Sequence, residues 1–82
     1  MLYVDQIREA AGSITGNIRE AFGRRRGPER DQFFRFARGS AEETDERLRA
    51  NFAASRINHS TYWPLHNRLD VIRKMLDSLL AD

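Results

Sequence analysis

Residues Ser13 to Ser40, SITGNIREAFGRRRGPERDQFFRFARGS, decide how the chain folds. The first half continues a helical pattern begun upstream, Gly27-Pro28 breaks it, and the second half opens another. Between Arg19 and Arg38 stand seven arginines (Arg19, Arg24, Arg25, Arg26, Arg30, Arg35, Arg38) against three acids (Glu20, Glu29, Asp31), an excess of +4. The whole chain carries only +2, so the positive charge is concentrated here.

Upstream, apolar or small residues recur at Val4, Ile7, Ala11, Ile14, Ile18 and Ala21, with Phe22 beside the last. Intervals of three and four predict a helix over about 2–23, packed along a narrow seam. A neighbouring row, Ala10, Ser13, Asn17 and Glu20, is small and polar. Polar side chains beside a seam fix helix register through buried hydrogen bonds, and that is the role expected of Ser13, Asn17 and Glu20. Gly12 and Gly16 weaken the helix, and Thr15-Gly16 is the expected kink. Gly23 suits a left-handed C-terminal position, with Arg24 to Arg26 beside the negative end of the helix dipole.

Pro28 needs no N–H in a first helical turn, and Glu29 and Asp31 suit the positive end, so a second helix is expected over about 28–56. Its row reads Phe33, Phe36 with Ala37, Ser40 with Ala41, Thr44, Leu48, Phe52 and Ser55; Phe34 lies off it, so this helix is expected to bury more than one face. Gly39 in mid-helix implies close approach of a neighbour. Glu42, Glu43, Asp45 and Glu46 form an acidic run. After a turn capped by Asn58 or Ser60, a third helix is expected over about 60–81, starting close to Trp63 because Pro64 belongs in a first turn. Its row is Tyr62, Leu65, Leu69, Ile72, Leu76 and Leu79, widened by Val71, Met75 and Leu80.

The fold class is therefore all-α: one domain over 1–82, an antiparallel three-helix up-down-up bundle. Its apolar surface exceeds what three helices of this length cover, which predicts self-association. Cysteine is absent, removing thiol catalysis and thiolate metal sites. No apolar run approaches the length of a membrane span, and Asp5 interrupts any leader-like segment, so the reading is soluble and cytoplasmic with no membrane partner.

Thirteen of the fourteen basic residues are arginine, a bias that GC-rich codons or anionic partners both produce; the clustering needs its own reason. Arg19, Arg24, Arg25, Arg26, Arg30 and Arg38 are the candidate nucleic-acid contacts, since each phosphate neutralised releases counterions. The competing reading is a solvated turn whose arginines cap the first helix or pair with Glu29. His59 and His66 lack a metal-ligand pattern, and there is neither a phosphate-binding glycine loop nor a nucleophile arrangement. No catalytic residue, metal or cofactor is expected. Phe34, Tyr62 and Trp63 read as core or interface rather than as platforms for bases.

Ser13-Ile14-x-x-Asn17-Ile18-x-Glu20-x-Phe22-Gly23-Arg24, continued by Glu29, Phe33, Arg35, Ala37-Arg38-Gly39-Ser40, Glu43, Leu48, Ile57, Tyr62, Leu65, Leu69, Ile72 and Lys74-Met75-Leu76, resembles the "four helix bundle protein" family. That family was named for proteins encoded in intervening sequences of bacterial 23S ribosomal RNA genes. Thr15, Arg19 and Ala21 stand where the family signature has proline, alanine and glycine. The first helix here resembles the family's second, which leaves a fourth helix to be supplied by another subunit or protein, or a groove to close by rearrangement. The alternative to a nucleic-acid role is therefore a protein-assembly module whose open fourth-helix groove binds a partner helix. The resemblance implies a homo-oligomer, commonly a pentamer with a basic surface. For some members it implies RNA or DNA binding, or assistance to a reverse transcriptase. It gives Ser13, Asn17, Glu20, Gly23, Gly39, Ser40 and Glu43 the place of a structural motif, and implies no catalysis.

Overall fold

The structure is a computed structural model that describes residues 2–81, with side chains from Asp5 onward; Val4 of the first seam lies outside the described side chains. Three helices follow one another: α1 (Leu2–Phe22), α2 (Pro28–Ala53) and α3 (His59–Leu80). Partners across each pair run in opposite directions. Gln6 meets Arg47, Ser13 meets Ser40 and Phe22 meets Phe34, while Phe52 meets Tyr62, Asp45 meets His66 and Arg38 meets Asp77.

Local chemistry explains most boundaries. Pro28 opens α2, with Glu29 and Asp31 in its first turn. Gly27 precedes it at φ 148°, ψ −171°, a conformation open essentially to glycine alone. This corrects the expectation for Gly23, which has no positive φ; its N–H bonds back to Arg19 and Glu20 carbonyls. The helix α2 stops at Ala53 rather than near Arg56. Ser55 turns left-handed (φ 61°), its N–H bonds Phe52 O and the Arg56 N–H bonds Asn51 O, the paired bonds of a Schellman ending. Asn58 caps α3 by accepting the Thr61 N–H at 3.0 Å. The helix thus begins at His59, and Pro64 sits inside it rather than in its first turn.

The helix α2 is the middle element. It packs against α1 on one side and α3 on the other, and no comparable α1–α3 pairing exists among the described residues. The result is a slab of 43 × 22 × 14 Å. Its radius of gyration is 13.7 Å, against about 12 Å for a compact chain of this length. With neighbours on two sides, α2 buries a wide arc: Phe34, Ala37, Ala41, Thr44, Asp45, Leu48 and Asn51. Phe34, expected off the row, is among the most buried large side chains, whereas Phe36 is half exposed.

Two clusters share this interior. Ile14, Ala41, Leu48, Tyr62 and Leu69 form one, Ala21, Phe34, Ala37 and Leu76 the other, and Ile18 and Ile72 touch both. The buried polar residues Thr44, Asp45 and Asn51 are hydrogen-bonded, as burial requires, whereas the buried Nε of Arg47 has no partner among the described residues. Thr44 Oγ1 donates to Ser40 O (2.7 Å), Asn51 Nδ2 donates to Arg47 O (2.7 Å), and Asp45 meets His66 Nδ1 (2.7 Å) and Arg49 (3.2 Å).

Three helix-interior expectations change. The helix α1 runs without a break through Thr15-Gly16. A Cβ on Gly39 would meet nothing within 4 Å, so no neighbour explains that glycine; it lies on the side of α2 away from both partners. Ser13, Asn17 and Ser40 do bond together, Ser40 Oγ to Ser13 Oγ at 3.0 Å and Asn17 Nδ2 to Ser13 O at 2.9 Å, but at the surface rather than buried.

Candidate nucleic-acid interface and the open corner

The α1–α2 turn gathers the arginines but treats them unequally. Arg24 is used internally. Its Nη1 donates to Glu20 Oε2 (2.7 Å) and to Glu20 O (3.0 Å), its Nε donates to Glu29 Oε1 (2.7 Å), and its guanidinium lies 4.3 Å from the Phe33 ring centre. Its hydrogen bonds to the carboxylates of Glu29 first and Glu20 second raise its pKa above the ordinary arginine value. It therefore stays charged at every physiological pH and closes the turn by capping a carbonyl of α1.

Arg30 stands over two rings, 5.2 Å from Phe22 and 5.1 Å from Phe34, so cation–π contacts hold its head at the surface. Arg38 reaches across to Asp77 of α3 at 2.8 Å. Arg35, left out of the candidate contacts, donates to Gln32. Arg19, Arg25 and Arg26 are exposed and make no hydrogen bond or ion pair among the described residues. Arg26 and Arg30 border a recess with Asp31, Ser78 and Leu79, which places the C-terminal end of α3 beside the turn. Of the six candidates, Arg24 and Arg38 thus serve ion pairs within the fold, while Arg19, Arg25, Arg26 and Arg30 present charge outward.

The motif residues lie elsewhere along the α1–α2 seam. Glu20 belongs to the Arg24 cluster, Glu43 pairs with Arg47 (2.7 Å), and Ser13 and Glu43 line a polar recess with Gln6, Glu9, Ala10 and Arg47. Of the aromatic residues, Phe34 and Tyr62 are core, and Trp63 is half exposed beside Phe52, Tyr62 and His66. Among the described residues no group of three metal-ligating side chains comes together, and no helix is long and apolar enough to cross a membrane.

On the face where α1 and α3 fail to meet, an apolar groove of about 290 Å³ remains. Ile7, Ala11, Ile14 and Thr15 of α1 form one wall, Leu65, Arg68, Leu69 and Ile72 of α3 the other, and Thr44 and Leu48 of α2 the floor. Beyond its α3 lip, Val71 and Met75 stand exposed, at 55% and 61% of their full surface. Periodicity places these side chains on seams without showing whether a neighbour covers them; the expectation of an open fourth-helix groove comes from the family resemblance, and its lining comes from the structure.

Two helices packed on either side of a central one, with a basic turn at one end and an uncovered apolar corner, define a small all-α protein of three sequentially packed helices. The chain belongs to the 23S rRNA-intervening sequence protein family, whose family model matches residues 2–78. No curated protein and no solved structure matches it.

Proposed function

We propose that the protein is a non-catalytic, homo-oligomeric accessory protein that binds nucleic acid through the α1–α2 turn. The observation that carries this reading is the division of labour among the arginines. Arg24 occupies both Glu20 and Glu29, which leaves Arg19, Arg25 and Arg26 exposed without an acidic partner among the described residues. Unpaired guanidinium groups on a surface favour phosphate, which they contact in two-pronged fashion. Self-association would repeat the turn in each subunit and sum individually weak contacts. The exposed α3 stripe of Val71, Met75 and Leu79 supports such assembly, and the family resemblance favours a pentamer.

The test is fluorescence anisotropy with labelled single-stranded RNA and duplex DNA across a salt series. For the Arg19→Ala, Arg25→Ala, Arg26→Ala triple variant, affinity should fall and the slope of log K against log salt should flatten. Each phosphate contact accounts for about 0.7–0.9 of that slope. Equal affinity and slope in the variant and the parent would remove the proposal.

A further inference from the structure

The open corner between α1 and α3 has a chemical signature of its own, sharing only Arg19 with the candidate nucleic-acid contacts. The groove is apolar along walls and floor, and its single charged lining residue is Arg68. On α1, Arg8, Thr15 and Arg19 follow at intervals of seven and four, so the two arginines share the helix edge on which Thr15 lines the groove. Arg8, Arg19 and Arg68 make no ion pair among the described residues.

The acids of both walls face elsewhere. Glu9 lines the polar recess on the other side of α1, with Asp5 one turn before it; Glu20 is bound to Arg24. On α3, Asp70 pairs with Arg73 and Lys74, and Asp77 with Arg38. Both lips of the apolar groove are therefore basic.

We propose that this groove receives an amphipathic helix of a partner protein, one whose apolar stripe is flanked on both edges by glutamate or aspartate. The α1 wall spans Ile7 to Thr15, about 12 Å of helix, so a partner segment of three to four turns covers it. Its apolar side chains at helical spacing would sit over Thr44 and Leu48, and its acids would meet Arg8 and Arg68 at the two lips. A second copy of this chain fits less well. Its exposed apolar stripe, Val71, Met75 and Leu79, lies on α3, whose acids Asp70 and Asp77 already have partners.

The probe is a pair of synthetic helices of about four turns with the same leucine stripe, one flanked by glutamate and the other by lysine. Titrated by anisotropy against the full chain, the glutamate peptide should bind at least about tenfold more tightly. The Arg8→Glu, Arg68→Glu double variant alters only exposed side chains, and its fold is checked by circular dichroism. It should reverse the preference. Leu65→Lys should abolish binding of both peptides while leaving the sedimentation of the chain unchanged. Equal binding of the two peptides, no binding of either, or failure of the double variant to reverse the preference overturns the proposal. Conversion of an oligomer to a monomer by Leu65→Lys overturns it too, because a second copy would then be the occupant.

Discussion

The two turns of the molecule do the same job by different means. Between α1 and α2 the chain reverses through Gly27, whose backbone no other residue adopts comfortably, and an arginine clamped by two carboxylates. Between α2 and α3 it reverses through a left-handed serine, a side-chain cap from Asn58 and a stack of rings, with Phe52 and Tyr62 nearly parallel at 4.3 Å and Tyr62 and His66 at 5.5 Å. The second turn shows that closing two helices of this length requires no cluster of charge. The first needs one arginine and carries two more at its tip. That surplus motivates a functional reading of Arg25 and Arg26.

The largest expected effect lies in the core beneath the basic turn. Phe34 is 1% exposed and supports both Phe22 and Arg30. Phe34→Ala should cost about 3–5 kcal/mol, comparable with the whole stability expected of so small a core. Thermal melting should show a largely unfolded chain. A variant melting like the parent would mean that this end is not packed as described.

The two positive-φ residues among those described, Gly27 and Ser55, give a matched pair. Gly27→Ala should destabilise by about 1–3 kcal/mol through backbone strain alone, since the position has open space around it. Ser55→Gly should stabilise by about 1 kcal/mol, seen as a rise of about 4–8 °C in Tm. Shifts of the same sign would erase the distinction drawn between the turns. Gly39→Ala is expected to raise stability by up to about 1 kcal/mol, because helix propensity improves and nothing obstructs the new methyl group. A loss of assembly in that variant would place a neighbouring subunit over α2.

The smallest effect is electrostatic. Hydrogen bonds from Lys74 and then Arg73 hold the Asp70 carboxyl below its ordinary pKa. A depressed carboxyl contributes stability above its unfolded value and loses that contribution as pH falls through the folded one. Asp70→Asn should therefore lower Tm slightly at neutral pH, and the difference should begin to shrink as pH falls through about 4, vanishing only once the folded carboxyl is protonated. A difference that persists in acid would exclude this pair as its source.

What the sequence revealed was local. The three helices and the start at Pro28 follow from signals carried within a few residues, and of the two caps those signals allowed, Asn58 and Ser60, the structure uses Asn58. What it concealed depended on neighbours. Phe34, off the main row, pointed to a second buried face of α2, which the structure bears out, but the row itself ran through Phe36, which is half exposed, because periodicity does not fix where two partners sit around one helix. Gly39 suggested a close approach that the chain does not contain. The arginines were legible as a cluster, but only geometry separates Arg24, clamped between Glu20 and Glu29, from Arg25 and Arg26 one and two residues later. The open corner was expected only through the family resemblance; no local pattern shows it, because it is the absence of an α1–α3 contact among the described residues.

The most direct test sets the two turns against each other in one assay: RNA affinity against salt for the parent, for Arg25→Ala with Arg26→Ala, and for Arg56→Ala at the opposite end. Loss of slope confined to the first variant, about 1.5 per subunit in contact with the strand, is the predicted result. Parallel salt plots for all three proteins would contradict the assignment of nucleic-acid binding to the arginine turn.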